Sequence, residues 1–163
     1  MNFQYLDTPI GTLRLISNGA QLINIEFAEK YGASDAVEIS DTVLAACAGQ
    51  LTDYFAGKRR RFELPLAARG TSFQQSVWAA LTDIPYGELR SYRDIARTIG
   101  NPAAVRAVGA ANARNPLPIV VPCHRVIGSN GTLTGFAGGL EVKRFLLNLE
   151  GAAGTSRHAP PVG

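Results

Sequence analysis

The sequence predicts an α/β (α+β) protein built in two parts, and three observations carry that reading. The first part alternates short apolar runs with turn residues, the second carries apolar residues at helical spacing, and the charge balance changes sign between them. Residues 1–69 hold seven Lys and Arg against eight Asp and Glu, a net −1, whereas residues 70–163 hold nine against five, a net +4. The break falls at the Pro65 to Gly70 linker. It sets the expected domains at 1–69, a scaffold, and 70–151. Residues 152–163, rich in Ala, Gly and Pro, are left as a tail expected to be disordered. With 163 residues, 46% of them hydrophobic, the chain can bury one sizeable core or two small ones.

In the first part, Phe3-Gln4-Tyr5-Leu6, Leu13-Arg14-Leu15-Ile16 and Leu22-Ile23-Asn24-Ile25-Glu26-Phe27 read as strands. Thr8-Pro9-Ile10-Gly11 and Asn18-Gly19 separate them, the latter a hairpin signal. Val43, Leu44, Cys47, Leu51 and Phe55 then recur at helical spacing, with Ser40 or Asp41 as cap and Gly57 as stop, which places Cys47 on a core face. The Lys58-Arg59-Arg60-Arg61 run reads as a charged loop before a strand-like segment.

In the second part, Thr71-Ser72-Phe73-Gln74-Gln75 opens a helix with Phe73, Val77, Ala80 and Leu81 on one face, ending before Ile84-Pro85-Tyr86-Gly87. Ser91 and Asp94 form a capping box for a short helix containing Ile95, Ala96 and Ile99. Gly100-Asn101-Pro102 then supplies a C′ glycine, an N-cap and an N1 proline, so the next helix starts at once and the pair suggests helix-turn-helix. On that next helix Val105, Val108 and Asn112 share a face. Arg106, Gly109, Ala110 and Ala113 share another, which has one long cation and almost no other side chain. A glycine inside a helix costs about 1 kcal/mol relative to Ala, so something approaches this face closely: another helix, or a DNA backbone. Asn115-Pro116-Leu117-Pro118 forces extended chain, Ile119 to Val121 should be a buried strand, and Val126 to Leu133 a hairpin through Asn130-Gly131. Gly135-Phe136-Ala137-Gly138-Gly139 is too short and too poor in Lys for a phosphate loop, and its glycines expose backbone around a pocket. The last helix has Val142, Phe145, Leu146 and Leu149 as its core stripe and ends at Glu150-Gly151.

The chemistry is carried by Ile119-Val120-Val121-Pro122-Cys123-His124-Arg125-Val126, where a cysteine with a histidine beside it ends an apolar run. Free cysteine titrates near pH 8.5, so an imidazole able to take its proton makes it a competent nucleophile. Glu150, a carboxylate at the unfavourable end of a helix dipole, calls for a partner, and His124 is the obvious one. An exposed Glu150 with none is the alternative. Arg90, Arg93, Arg97, Arg106, Arg114 and Arg125 surround the nucleophile in sequence, a field that draws in polyanions, although a solvated basic face looks the same. With only Cys47, Cys123, His124 and His158 available there is no zinc spacing, so the chemistry is expected to need neither metal nor cofactor. Nothing points to secretion or a membrane, and a cytoplasmic monomer is expected.

From Phe73 to Gly151 the chain closely resembles the O6-alkylguanine-DNA alkyltransferases (methylated-DNA protein-cysteine methyltransferases), in their bacterial form. The resemblance rests on Pro122-Cys123-His124-Arg125-Val126, Arg106-Ala107-Val108-Gly109, Asn115-Pro116, Gly138-Gly139-Leu140 and Leu146-Leu147 to Glu150-Gly151, all in the family's order and spacing. It is looser in the first part, where Asp53-Tyr54-Phe55-Ala56-Gly57 matches. It implies a ribonuclease-H-like small domain followed by a winged helix-turn-helix-like DNA-binding and alkyl-transfer domain. The implied partner is double-stranded DNA containing O6-alkylguanine, bound through the minor groove, with activity on O4-alkylthymine left open.

The resemblance also implies roles. Cys123 would accept the alkyl group once, irreversibly, with His124 as its base through a water, Glu150 holding His124, and Asn115 tying the active-site turn to the recognition helix. Arg106 would replace the extruded nucleotide. Ala107, Gly109, Ala110, Ala113, Arg114, Arg93 and Tyr92 would lie along the DNA. Tyr92 would also donate a proton or hydrogen bond to the leaving guanine and rotate the 3′ phosphate. Tyr92, Pro118, Val126, Phe136 and Ala137 would form the pocket, with backbone near Cys123, Val126 and Ala137 reading the base edge. Phe136 stands where the family usually has Tyr and Ala137 where some members have Ser, so those hydroxyls are missing here. The zinc site of some members has no counterpart. Two other classes remain possible from the residues: a DNA-binding regulator whose Cys123 senses electrophiles, and a cysteine hydrolase using Cys123, His124 and Glu150.

Overall fold

The computed structural model describes residues 1–152, which form two compact units, one spanning Met1–Arg69 and the other beginning at Gly70. In the first, strands β1 (Asn2–Thr8), β2 (Gly11–Ser17) and β3 (Leu22–Glu26) form an antiparallel meander. Gly11, at φ +105°, closes the first turn. The sheet order is β3-β2-β1-β4, because the two-residue strand β4 (Val37–Glu38) joins the far edge parallel to β1. Both residues of β4 are exposed, and two residues are too few to carry an alternating pattern, which is why the sequence does not reveal it.

Helix α1 (Thr42–Phe55) packs on this sheet. Its cap is Asp41, whose carboxylate accepts from the Leu44 amide while Ser17 and Asn2 bind its other oxygen. Burial opposes the ionised form of Asp41, yet these hydrogen bonds outweigh it and hold the carboxyl below its usual range. Val43, Leu44, Cys47, Leu51 and Tyr54 face Leu13, Leu15, Leu22 and Ile25. Tyr54, not Phe55, is the fully buried aromatic, since 51 and 54 share the inward turn. The expected strand after Arg61 reduces to one bridge at Leu66, in which Leu22 donates to Pro65 O and accepts from Ala67. Pro65 itself has no N–H to extend it.

The second unit contains α2 (Ser72–Thr82), β5 (Arg90–Ser91), α3 (Tyr92–Thr98), α4 (Val105–Ala113), a 3-10 turn (Cys123–Arg125), β6 (Val126–Ile127) and α5 (Leu140–Glu150). Capping boxes open α2 at Thr71 with Gln74 and α3 at Ser91 with Asp94. Gly100 ends α3 at φ +76°, but α4 does not start at Asn101-Pro102. The Asn101 carbonyl accepts from Ala104 in a separate turn, and α4 begins at Val105 without a side-chain cap. Trp78 donates to Ala111 O at 2.9 Å and so fastens α4 to α2.

Ile119 to Val121 is buried but is a tight turn rather than a strand. Ile119 has φ +74° and Val121 donates to Leu117 O. Asn115 imposes it from both sides, accepting from the Leu117 amide at 3.0 Å and donating to Val121 O at 2.8 Å. The Asn130-Gly131 turn forms, but β6 takes β5 as its strand partner, in parallel, instead of the segment after the turn. On α5 the inward face is Lys143, Leu146, Leu147 and Glu150. Of the expected stripe only Leu146 is buried, Val142 and Leu149 being intermediate and Phe145 exposed. Ala152, expected to begin the tail, is buried against Leu133 and Leu147, and the rest of that tail lies outside the described residues.

Candidate active site

Cys123 sits at the start of the 3-10 turn, 4% exposed, on a backbone held by α4. Asn112 of α4 donates to Cys123 O at 3.3 Å, and Asn115, just past that helix, fixes the turn that precedes the thiol. Burial pushes the Cys123 thiol up to about 11, against the pull of an Asn115 hydrogen bond and the Lys143 charge. At rest it is therefore a thiol and not a thiolate.

His124 is fully buried, and burial lowers its pKa despite the carboxylate beside it. Its Nε2–H donates to Glu150 Oε2 at 2.7 Å, which leaves Nδ1 as the bare nitrogen, a buried acceptor without a protein partner. Glu150 also accepts from Arg125 Nε at 2.8 Å and Nη2 at 3.0 Å, and Arg125 Nη1 donates to Ile84 O at 2.7 Å. Burial raises the Glu150 pKa, but these donors more than reverse it, so the carboxyl lies well below its ordinary range. A forked guanidinium and an imidazole on one carboxylate make a closed charge network at the end of α5.

Two residues around Cys123 escape a reading of the sequence. Arg125, counted there in a field for polyanions, is buried and spent on Glu150, because the 3-10 turn points it inward over Tyr86. Lys143, fully buried, donates to Val126 O at 2.6 Å and Thr134 O at 2.7 Å, and burial pulls its pKa down to about 8. The signal for Lys143 lies in the i, i+3, i+4, i+7 spacing of Lys143, Leu146, Leu147 and Glu150, and the anion it places on that core face is the one that claims Arg125.

Tyr92 opens α3, half-buried, with its hydroxyl against Thr134 and its ring edge under Gly109, where an added Cβ would lie 3.9 Å from Tyr92 Cδ1. Arg106, Ala107, Ala110, Ala113 and Arg114 are exposed along α4 and Arg93 on α3. Pro118 and Val126 are buried, Phe136 is intermediate, and Ala137 is exposed. The structure thus brings Cys123, Asn115, His124 and Glu150 into one cluster with Tyr92 within its electrostatic reach, and leaves Arg106 and Ala137 on the surface. Among the described residues no three His, Cys, Asp or Glu side chains gather as a metal would need, and no helix is long and apolar enough to cross a membrane.

Residues 1–68 match the model of the 6-O-methylguanine DNA methyltransferase ribonuclease-like domain and residues 72–152 that of the family's DNA binding domain. The chain belongs to the 6-O-methylguanine DNA methyltransferase family. Relatives include a methylated-DNA–protein-cysteine methyltransferase of Methanosarcina acetivorans, 48% identical over 93% of this chain and 99% of its own. The constitutive enzyme of that name in Bacillus subtilis is 50% identical over 88% and 92%. Among solved structures, Mycobacterium tuberculosis OGT in complex with DNA superposes with a TM-score of 0.87 at 47% identity over 93% of each chain. The family's mixed α+β architecture accounts for both units of the chain.

Proposed function

We propose that this chain repairs O6-alkylguanine in DNA by moving the alkyl group onto its own Cys123, once per molecule. The observation that carries the reading is the buried Cys123 thiol tied through Asn112 and Asn115 to an exposed small-residue helix face, with the His124–Glu150–Arg125 network behind it. Relatives named for this reaction, and a solved relative in complex with DNA, support it.

In this mechanism α4 lies in the minor groove, where Ala107, Gly109, Ala110 and Ala113 let the backbone approach and Arg93 and Arg114 meet phosphates. Arg106 fills the gap left by the extruded nucleotide, offsetting part of the few kcal/mol that extrusion costs. The base enters between Tyr92, Pro118, Val126, Phe136 and Ala137. The thiol proton passes through a water to His124 Nδ1, and Glu150 stabilises the imidazolium that forms. The sulfur then attacks the alkyl carbon, the carbon–oxygen bond breaks, and the guanine leaves as Tyr92 protonates it. A thioether offers water no acyl carbon and no good leaving group, so the protein is consumed.

The test is incubation with duplex DNA labelled in the O6-methyl group. One label per chain, on Cys123 and absent from Cys123→Ala, is expected. Turnover beyond one would mean a hydrolase, and tight binding of a defined operator without transfer would mean a regulator.

A further inference from the structure

The hydroxyl of Tyr92 has a fixed companion. Thr134 Oγ1–H donates to Tyr92 Oη at 3.2 Å, and Tyr92 Oη–H in turn reaches Thr134 O at 3.4 Å. The two bonds play unequal parts. The outgoing one is long, and its acceptor already takes Lys143 Nζ at 2.7 Å, so the phenol proton is loosely held and free to turn toward a better acceptor. The incoming one ends on the phenol oxygen itself, the atom that becomes negative when that proton is given away. Thr134 cannot drift from this post, because Lys143 pins its carbonyl to α5 while joining it to Val126 O. The ring edge lies beside Gly109 of α4, where an added Cβ would be in ordinary contact with it.

We propose that Thr134 is a positioning residue that makes Tyr92 a stronger proton donor to the leaving purine. This rests on the alkyl-transfer reading and on Tyr92 as the donor within it. The Cys123 sulfur takes the alkyl carbon as the C–O6 bond breaks, and its electron pair passes to the purine. The phenol proton goes to a nitrogen of that purine, and the resulting phenolate oxygen receives the hydrogen bond of Thr134 Oγ1–H. Solvent returns the proton after the purine leaves. Hydrogen bonds to a charged oxygen are shorter and about twice as strong as those to a neutral one, so the contact gains strength as the reaction proceeds and not before.

The test uses the full chain and single-turnover rates on free O6-benzylguanine, in the parent, Thr134→Val, Thr134→Ser, Tyr92→Phe and the Tyr92→Phe/Thr134→Val pair. Thr134→Val keeps shape and carbonyl and should slow transfer about tenfold, the weight of one charge-assisted bond, while Thr134→Ser restores it. In the Tyr92→Phe background the Val substitution should change nothing. On O6-benzyl-8-bromoguanine, whose electron-poor purine needs less protonation, the Thr134→Val loss should shrink. A Tyr92→Phe protein that reacts at the parental rate sinks the Tyr92 assignment. A slowed Tyr92→Phe protein beside an unaffected Thr134→Val protein overturns the Thr134 proposal alone. Equal losses from Thr134→Val in both backgrounds, or on both purines, also overturn it, since they mean a looser fold.

Discussion

Glu150→Gln removes one negative charge from a carboxylate that accepts from His124, from two nitrogens of Arg125 and from the Gly87 amide, and the geometry of those bonds shapes the outcome. A Gln offers one acceptor oxygen and an NH2 group. If the oxygen keeps the Oε1 place that accepts Arg125 Nε, the NH2 takes the Oε2 place and faces both Arg125 Nη2 and His124 Nε2, and the histidine nitrogen can meet it only by giving up its proton. The imidazole then carries its hydrogen on Nδ1, the position the proposed mechanism needs bare to take the thiol proton. Loss of a positioned base slows a reaction about 10²–10⁴-fold, and the slowing should be greatest near neutral pH, because Cys123 then depends on its own ionisation near 11. Arg125 meanwhile keeps a buried charge without its counter-ion, a change that costs about 3 kcal/mol at the low end of such cases. For a chain of this length that lowers Tm by about 6–12 °C. Single-turnover alkylation by O6-benzylguanine across pH 6 to 10, with calorimetry alongside, reads both effects. A Glu150→Gln protein with the parental Tm and an unchanged pH profile would refute the network as base and brace together.

Arg106→Ala should slow repair of a paired duplex at least tenfold more than repair of free O6-benzylguanine, since only the duplex needs its stack held open; equal losses would assign Arg106 to the fold. Gly109→Leu, which places a long side chain between the exposed face of α4 and the Tyr92 ring, should weaken binding to damaged and undamaged duplex alike, as a mobility-shift titration reads. Lys143→Met should lower the Cys123 alkylation rate by iodoacetamide several-fold at pH 7.5, because it removes the cation that favours the thiolate; the gap should close above about pH 8, where the parent's Lys143 also loses its charge. Stability should fall below about pH 4, since the folded Asp41 pKa lies under its ordinary 3.8: its contribution is complete above that value and is lost as pH drops through the lower one. In Asp41→Asn the acid limb of a Tm against pH curve should flatten, and an unaltered limb would mean the cap contributes nothing.

Local rules carry the sequence reading wherever one residue decides one thing. Thr71, Ser91 and Asp41 cap their helices because a side-chain oxygen next to free amides has one good use, and Gly100 ends α3 because the backbone there turns left-handed. What escapes depends on partners far along the chain. The Ile119 turn is imposed by both ends of Asn115, so an apolar run that looks like a strand bends instead. The inward face of α5 is set by charges meeting their partners, Glu150 with Arg125 and Lys143 with two carbonyls, and an apolar stripe drawn by hydrophobicity misses it by one position. Arg125 is lost from the basic surface for the same reason.

The grip of Asn112 on Cys123 O, with Asn115 locking the turn behind it, joins the nucleophile to α4 through short buried side chains. The helix and the backbone that carries the sulfur are thus held in one relation by two buried amide side chains, with no separate element to bring them together. Under the proposed function the alkylated base must therefore be carried to the sulfur, and an arginine or tyrosine on that path can alter the rate on duplex DNA without touching the thiol.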